Sequence, residues 1–273
     1  MPAHNKLATR LRFAGRQYSV AEVAHEGAVW VPGRDPVKVA PVAVAMLYAN
    51  DTKPYFIMGT AAFQQRALGT NDTDGFAKFS LGLALHELTH TRQLPQIMPA
   101  VKRLQSRYRF PEHLDDNVIQ TAFERNEEFR GMHSEELKHF PGAVLAPDLD
   151  RAKAEAAEAL KIVDQRRKRF FVGEYEGWAE MEDVFLALEG PAMWVQFQSA
   201  LRTAPKGQSW MDTMATLAQR TDAWSQTEGL GLFLTIDRLS PGWQAKYFGA
   251  VVPSPFETLR QAVASSPRRA PGL

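Results

Sequence analysis

The chain has 273 residues, 45% of them hydrophobic and 23% charged, enough for one large domain or two modest lobes with a sizeable core. Its 32 Lys+Arg against 31 Asp+Glu leave a formal net charge of +1, without the basic excess that phosphate affinity needs, which argues against a general nucleic-acid binder. There is no cysteine, which excludes disulfides, thiolate metal sites and cysteine nucleophiles and leaves imidazole and carboxylate to hold any metal.

The start, "MPAHNKLATRLRFAG", has basic residues but no apolar leader segment. The expected compartment is cytoplasmic, or periplasmic or secreted if a leader precedes it. From Leu11 to about Gly59, the runs "LRFAGRQYSV", "GAVWVPG", "APVAVAMLYA" and "PYFIMG" are β-branched or aromatic and broken by Gly, Pro and Asn-Asp, which predicts a small sheet. The texture then turns helical. Asp74 can cap a helix over Gly75–Leu94, carrying Phe76, Phe79, Leu83 and Leu81, Leu85, Leu88 on its faces, until Pro95 stops it.

Further helices are expected over about Asp115–Phe140 and over a long pattern from Asp148 to Gly190, the latter with a break near Gly173 or Gly177. Two more cover "MDTMATLAQRTDAWSQTEGLGLFLTIDRL" and "PFETLRQAVA". The order predicts an α+β fold: a strand-rich lobe over 1–94 ending in a helix, a helical lobe over 95–264 and a frayed tail over 265–273. No apolar run approaches the roughly 18 residues of a membrane span.

Within the predicted helix, "LGLALHELTHTRQ" places His86, Glu87 and His90 in an otherwise apolar run. Buried imidazoles and a buried carboxylate need partners, and one cation would serve all three. Residues four apart stand above one another on a helix, so His86 and His90 aim at one point, with Glu87 about 100° round the axis. His-Glu-x-x-His is the zinc metallopeptidase signature, two imidazoles on Zn²⁺ and the glutamate as general base. A catalytic zinc needs a third protein ligand. "HELTHTRQLPQI" offers no further histidine, which directs attention to later glutamates.

The stretch "GEYEGWAEMED" carries Glu176, Glu180 and Asp183 on one helical stripe. "HELTH" together with "EGWAEM" resembles the gluzincin class of zinc metallopeptidases, whose third ligand is a glutamate on a downstream helix. The resemblance covers roughly Phe76–Glu189. It implies His86, His90 and Glu176 as zinc ligands, Glu87 as base, and a peptide or protein as substrate. Met181 stands where many relatives have a tyrosine. Glu174, Glu180 and Glu228 are the other candidates for the third ligand, and Glu180, if not a ligand, can accept a hydrogen bond from a ligating histidine. For the oxyanion, His133, His139, Tyr175 and Tyr247 are available, and the edge strand that binds substrate in resembling enzymes falls on Pro54–Gly59.

Two rival readings remain open. Glu87-x-x-His90 and Glu136-x-x-His139 both match the Glu-x-x-His of di-iron carboxylate bundles, although His86 then has no role. The fold can also bind a partner without cleaving it, or hold zinc structurally, but neither use needs Glu87 beside the histidines.

Overall fold

The computed structural model describes residues 5–13, 15–29, 37–38, 45–49, 53–69, 71–218, 221–249 and 251–265. The fold is α+β, with short antiparallel ladders first and helices after them. Two compact units are formed, Met1–Arg92 and Gln93–Leu273, and the division falls inside one long helix.

In the first unit, β1 (Asn5–Phe13) and β2 (Arg16–Val23) form an antiparallel hairpin. Gly15 makes the turn with φ 79°, a conformation open to a residue without Cβ. β3 (Ala28–Val29) pairs with β4 (Val37–Lys38), and β5 (Ala45–Ala49) with β6 (Lys53–Ile57). Instead of one small sheet, the described strands form three separate two-stranded ladders. α1 (Ala61–Leu68) starts at Thr60, whose hydroxyl accepts from the Phe63 amide, and ends at Gly69 with φ 64°. Ser80 donates to Gln64 at 3.1 Å, both buried, which ties α1 to the next helix.

That helix, α2, runs over Thr73–Arg107 and departs from expectation at both ends. Its first turn is capped by Asp72, which accepts from the Gly75 amide at 2.9 Å; Asp74 pairs with Lys78 at 2.6 Å instead. At the other end α2 continues through Pro95 and Pro99. Both prolines are exposed and one turn apart, while buried Leu94, Ile97, Val101 and Leu104 hold the opposite face. The Tyr18 and Thr91 hydroxyls, 3.1 Å apart, anchor the β1–β2 hairpin on α2.

The second unit adds α3 (Val118–Phe123), α4 (Glu127–Leu145), α5 (Leu149–Phe170), α6 (Trp178–Thr203), α7 (Trp210–Ala218), α8 (Trp224–Leu239), α9 (Gln244–Tyr247) and α10 (Pro255–Ala264). The helix expected over Asp115–Phe140 is thus split, because the Asn126 side chain accepts from the Phe129 amide and starts a new helix. The break expected near Gly173 or Gly177 is present: both have positive φ, Gly173 as the first residue of a short 3₁₀ turn and Gly177 just before α6. The core gathers Phe129, Phe140, Val163, Met181, Phe233, Ile236 and Phe256 from α4, α5, α6, α8 and α10.

α6 and α8 cross at Gly190 and Gly229. A Cβ on Gly229 would stand 2.9 Å from the backbone of Gly190, where nothing can swing aside. Gly229→Ala is expected to cost about 1–3 kcal/mol in denaturant unfolding. Gly131→Ala, in open space inside α4, is expected to stabilise by up to about 1 kcal/mol. Equal midpoints for the two variants would contradict this account of the crossing.

Candidate metal centre

α2 presents His86 and His90 one turn apart, both buried, with Nε2 atoms 2.9 Å apart and ring planes nearly perpendicular at 87°. Nitrogens on one tetrahedral zinc stand about 3.3 Å apart, given Zn–N lengths of about 2.0–2.1 Å. The observed separation is within a few tenths of an ångström of that. Glu87 is also buried, 6% exposed, and lies about 100° round the helix from His86, so it cannot share the point on which the two rings converge.

In the second unit, Glu189 on α6 is a buried carboxylate. Glu176, the third ligand that the resemblance implies, is not buried. It closes the 3₁₀ turn before α6 and is exposed, because Gly177 turns the chain with φ 85° and Trp178 is the first residue to go inside. About 16 Å of helix then separates Trp178 from Glu189. Glu180 is also exposed and accepts from the Tyr108 hydroxyl at 2.9 Å, a bond that raises the Tyr108 pKa. The sequence did carry a signal for Glu189: it is a lone acid within "VFLALEGPAMWVQF", where a buried carboxylate needs a partner as much as Glu87 does.

Within the second unit, a buried group that can hold a metal ion is formed by His133, Glu136 and Glu228, whose ligand atoms lie within 4.8 Å of one another. Here an arginine stands among the acids. The fully buried Arg166 binds both oxygens of Glu136, at 3.0 and 2.8 Å, and also reaches Glu182 at 2.6 Å and Glu228 at 3.3 Å. His133 Nε2 lies 3.1 Å from Glu228, under the indole of Trp224. Arg167 completes the network, with Glu182 at 2.7 Å and Asp183 at 2.8 Å.

Burial pushes the Glu136 carboxyl well above the usual range, helped by the charges of Glu228 and Glu182, while Arg166 opposes the shift. Glu228 moves the other way despite its burial, held down by Arg166 and by the hydrogen bond from His133. The three carboxylates raise the Arg166 pKa against its desolvation, so that residue stays charged.

The other sequence candidates have different occupations. His139 meets Glu155 at 2.9 Å, so Glu136 and His139 serve different partners and do not act together. Tyr175 packs against Phe123 and Trp178, and Tyr247 donates to Thr258 at 2.9 Å with its pKa raised by burial.

The buried His and Glu groups of this chain can hold a metal ion. No family model, curated protein or solved structure matches the sequence or the fold. Among the described residues no helix is long and apolar enough to cross a membrane.

Proposed function

We propose that the chain is a zinc-dependent metallopeptidase of the gluzincin kind, with His86, His90 and Glu189 as zinc ligands and Glu87 as general base. The supporting observation is the α2 clamp: two buried imidazoles converging to 2.9 Å with a buried carboxylate next to them in sequence. Two imidazoles and one carboxylate, with no thiolate, suit a catalytic zinc that keeps one position open. A zinc there supplies a Lewis acid that polarises a carbonyl and acidifies water.

Glu87 takes the proton of the attacking water and returns it to the leaving amine, a role for which a purely structural site has no need. β6 is bonded to β5 on one side, and its other edge is the place for an extended peptide backbone to add.

Elemental analysis of the purified protein is expected to give one zinc per chain, with cleavage of a mixed peptide library that a chelator abolishes. Chelator-insensitive cleavage, or zinc without cleavage, would sink the peptidase reading. For the third ligand, Glu189→Gln is expected to weaken zinc by at least about 100-fold, since even residues that only support ligands cost 10–100-fold. Glu176→Gln should keep it. The reverse pattern would return the role to Glu176.

A further inference from the structure

Every residue of β2 is exposed except the half-buried Tyr18, and among the described residues β2 pairs with β1 alone. Its second edge therefore offers a row of backbone N–H and C=O groups to a further strand. A two-stranded ribbon is marginal in water, and a third strand is what stabilises it.

The two edges of the hairpin differ. β1 carries the exposed Arg10 and Arg12 and a register shift between Leu7 and Thr9, features by which edge strands turn away further pairing. The extra residue, Ala8, belongs to β1, so β2 is continuous, and its sequence RQYSVAEV has neither lysine nor proline. That sequence holds one cation and one anion, Arg16 and Glu22, placed symmetrically about Ser19.

We propose that the free edge of β2 is a homodimer interface, on which two copies of this chain join into a four-stranded antiparallel sheet ordered β1-β2-β2-β1. A two-fold axis at Ser19 sets Arg16 of each copy opposite Glu22 of the other, Tyr18 opposite Val20, and Ser19 opposite its own counterpart. Opposite charges facing each other across a ladder stabilise it, and Val20, 44% exposed, gains an aromatic partner on its face of the sheet. A two-fold axis perpendicular to the sheet pairs only residues that point to the same face, so the neighbouring registers centre on Tyr18 or Val20. The first sets Arg16 against Val20 and the second sets Glu22 against Tyr18. Each loses both ion pairs.

The contact runs from Arg16 to Glu22, about 24 Å of strand, which is small for an interface, so the dimer is reversible and grows with concentration. It is independent of the metal centre and of the peptidase reading.

Sedimentation velocity of the full-length chain over a concentration series is expected to show monomer giving way to dimer. Arg16→Glu and Glu22→Arg each set like charges opposite one another at both ends of the contact, and each should weaken the dimer at least tenfold. An equimolar mixture of the two variants has opposite charges at both ends again and should dimerise about as tightly as the parent. The chain has no cysteine, so Ser19→Cys brings in a single thiol that meets its counterpart at the axis, and mild oxidation should link most of the protein covalently. Gln17→Cys should link little, because the two copies of residue 17 stand about 13 Å apart along the strands.

A chain that stays monomeric at every concentration, with the β2 edge open or taken by another segment or an added peptide, would overturn the proposal. So would a dimer that Arg16→Glu and Glu22→Arg both leave intact, a mixture no tighter than its components, or equal cross-linking of Ser19→Cys and Gln17→Cys.

Discussion

Glu87→Gln is expected to retain one zinc per chain and to lose peptide cleavage by about 10²–10⁴-fold in kcat, the usual worth of a positioned general base. The substitution keeps the shape of the side chain, so the buried position stays filled. What is lost is the ability to accept a proton, a deficit of about 3–5 kcal/mol in transition-state stabilisation. Zinc should stay because the ligand nitrogens of His86 and His90 converge away from residue 87 on the helix. The measurement is zinc stoichiometry alongside turnover of a peptide that the parent cleaves. Undiminished turnover would remove Glu87 from the chemistry, and lost zinc would make it a ligand. His90→Ala serves as the contrast, since it should lose both metal and turnover.

The second large effect is on stability. Arg166→Met is expected to cost about 3–5 kcal/mol, the range for breaking a buried ion pair by removing one partner. Arg166 is the cation common to Glu136, Glu182 and Glu228, and all four side chains are almost entirely shielded from water. With the guanidinium gone, Glu136 is left with only the His133 imidazole at 3.9 Å, and a domain stable by about 5–15 kcal/mol loses a large share of its margin. Adding Glu136→Met to Arg166→Met should recover part of the loss, because an apolar pair removes the unpaired carboxylate. Urea unfolding of the parent, the single and the double variant measures this. A loss below about 1 kcal/mol in Arg166→Met, or no recovery in the double variant, would show that the network contributes little.

The two variants probe features that were unequally visible in the sequence. His86, Glu87 and His90 can be read as a unit because their relation is local: four residues apart on a helix means one turn apart, whatever surrounds them. The Gly173 and Gly177 break is visible for a similar reason, since it depends on backbone freedom at those positions. Pro95 shows the limit of local rules. Its cost is set against packing, and here the proline ring is exposed while Leu94 and Ile97 hold α2 together from inside.

The third carboxylate shows it more sharply. "EGWAEM" at Glu176 and "LEGPAM" at Glu189 both place an acid before a glycine, and only the turn at Gly177 leaves the first on the surface and carries the second into the interior. Arg166 is harder still. In "DQRRKRF" it stands among four cations, and nothing in that run distinguishes it from Arg167 or Arg169 until α4, α6 and α8 close around one of them.

The amino-acid sequence by itself determined the α+β order of elements, the paired imidazoles on α2 and the absence of any thiolate ligand. The tertiary structure alone decided which distant acids are buried and which of them pairs with an arginine. The physical reason is range: helical spacing acts between neighbours in the chain, whereas the loss of water around a charge depends on every helix packed against it.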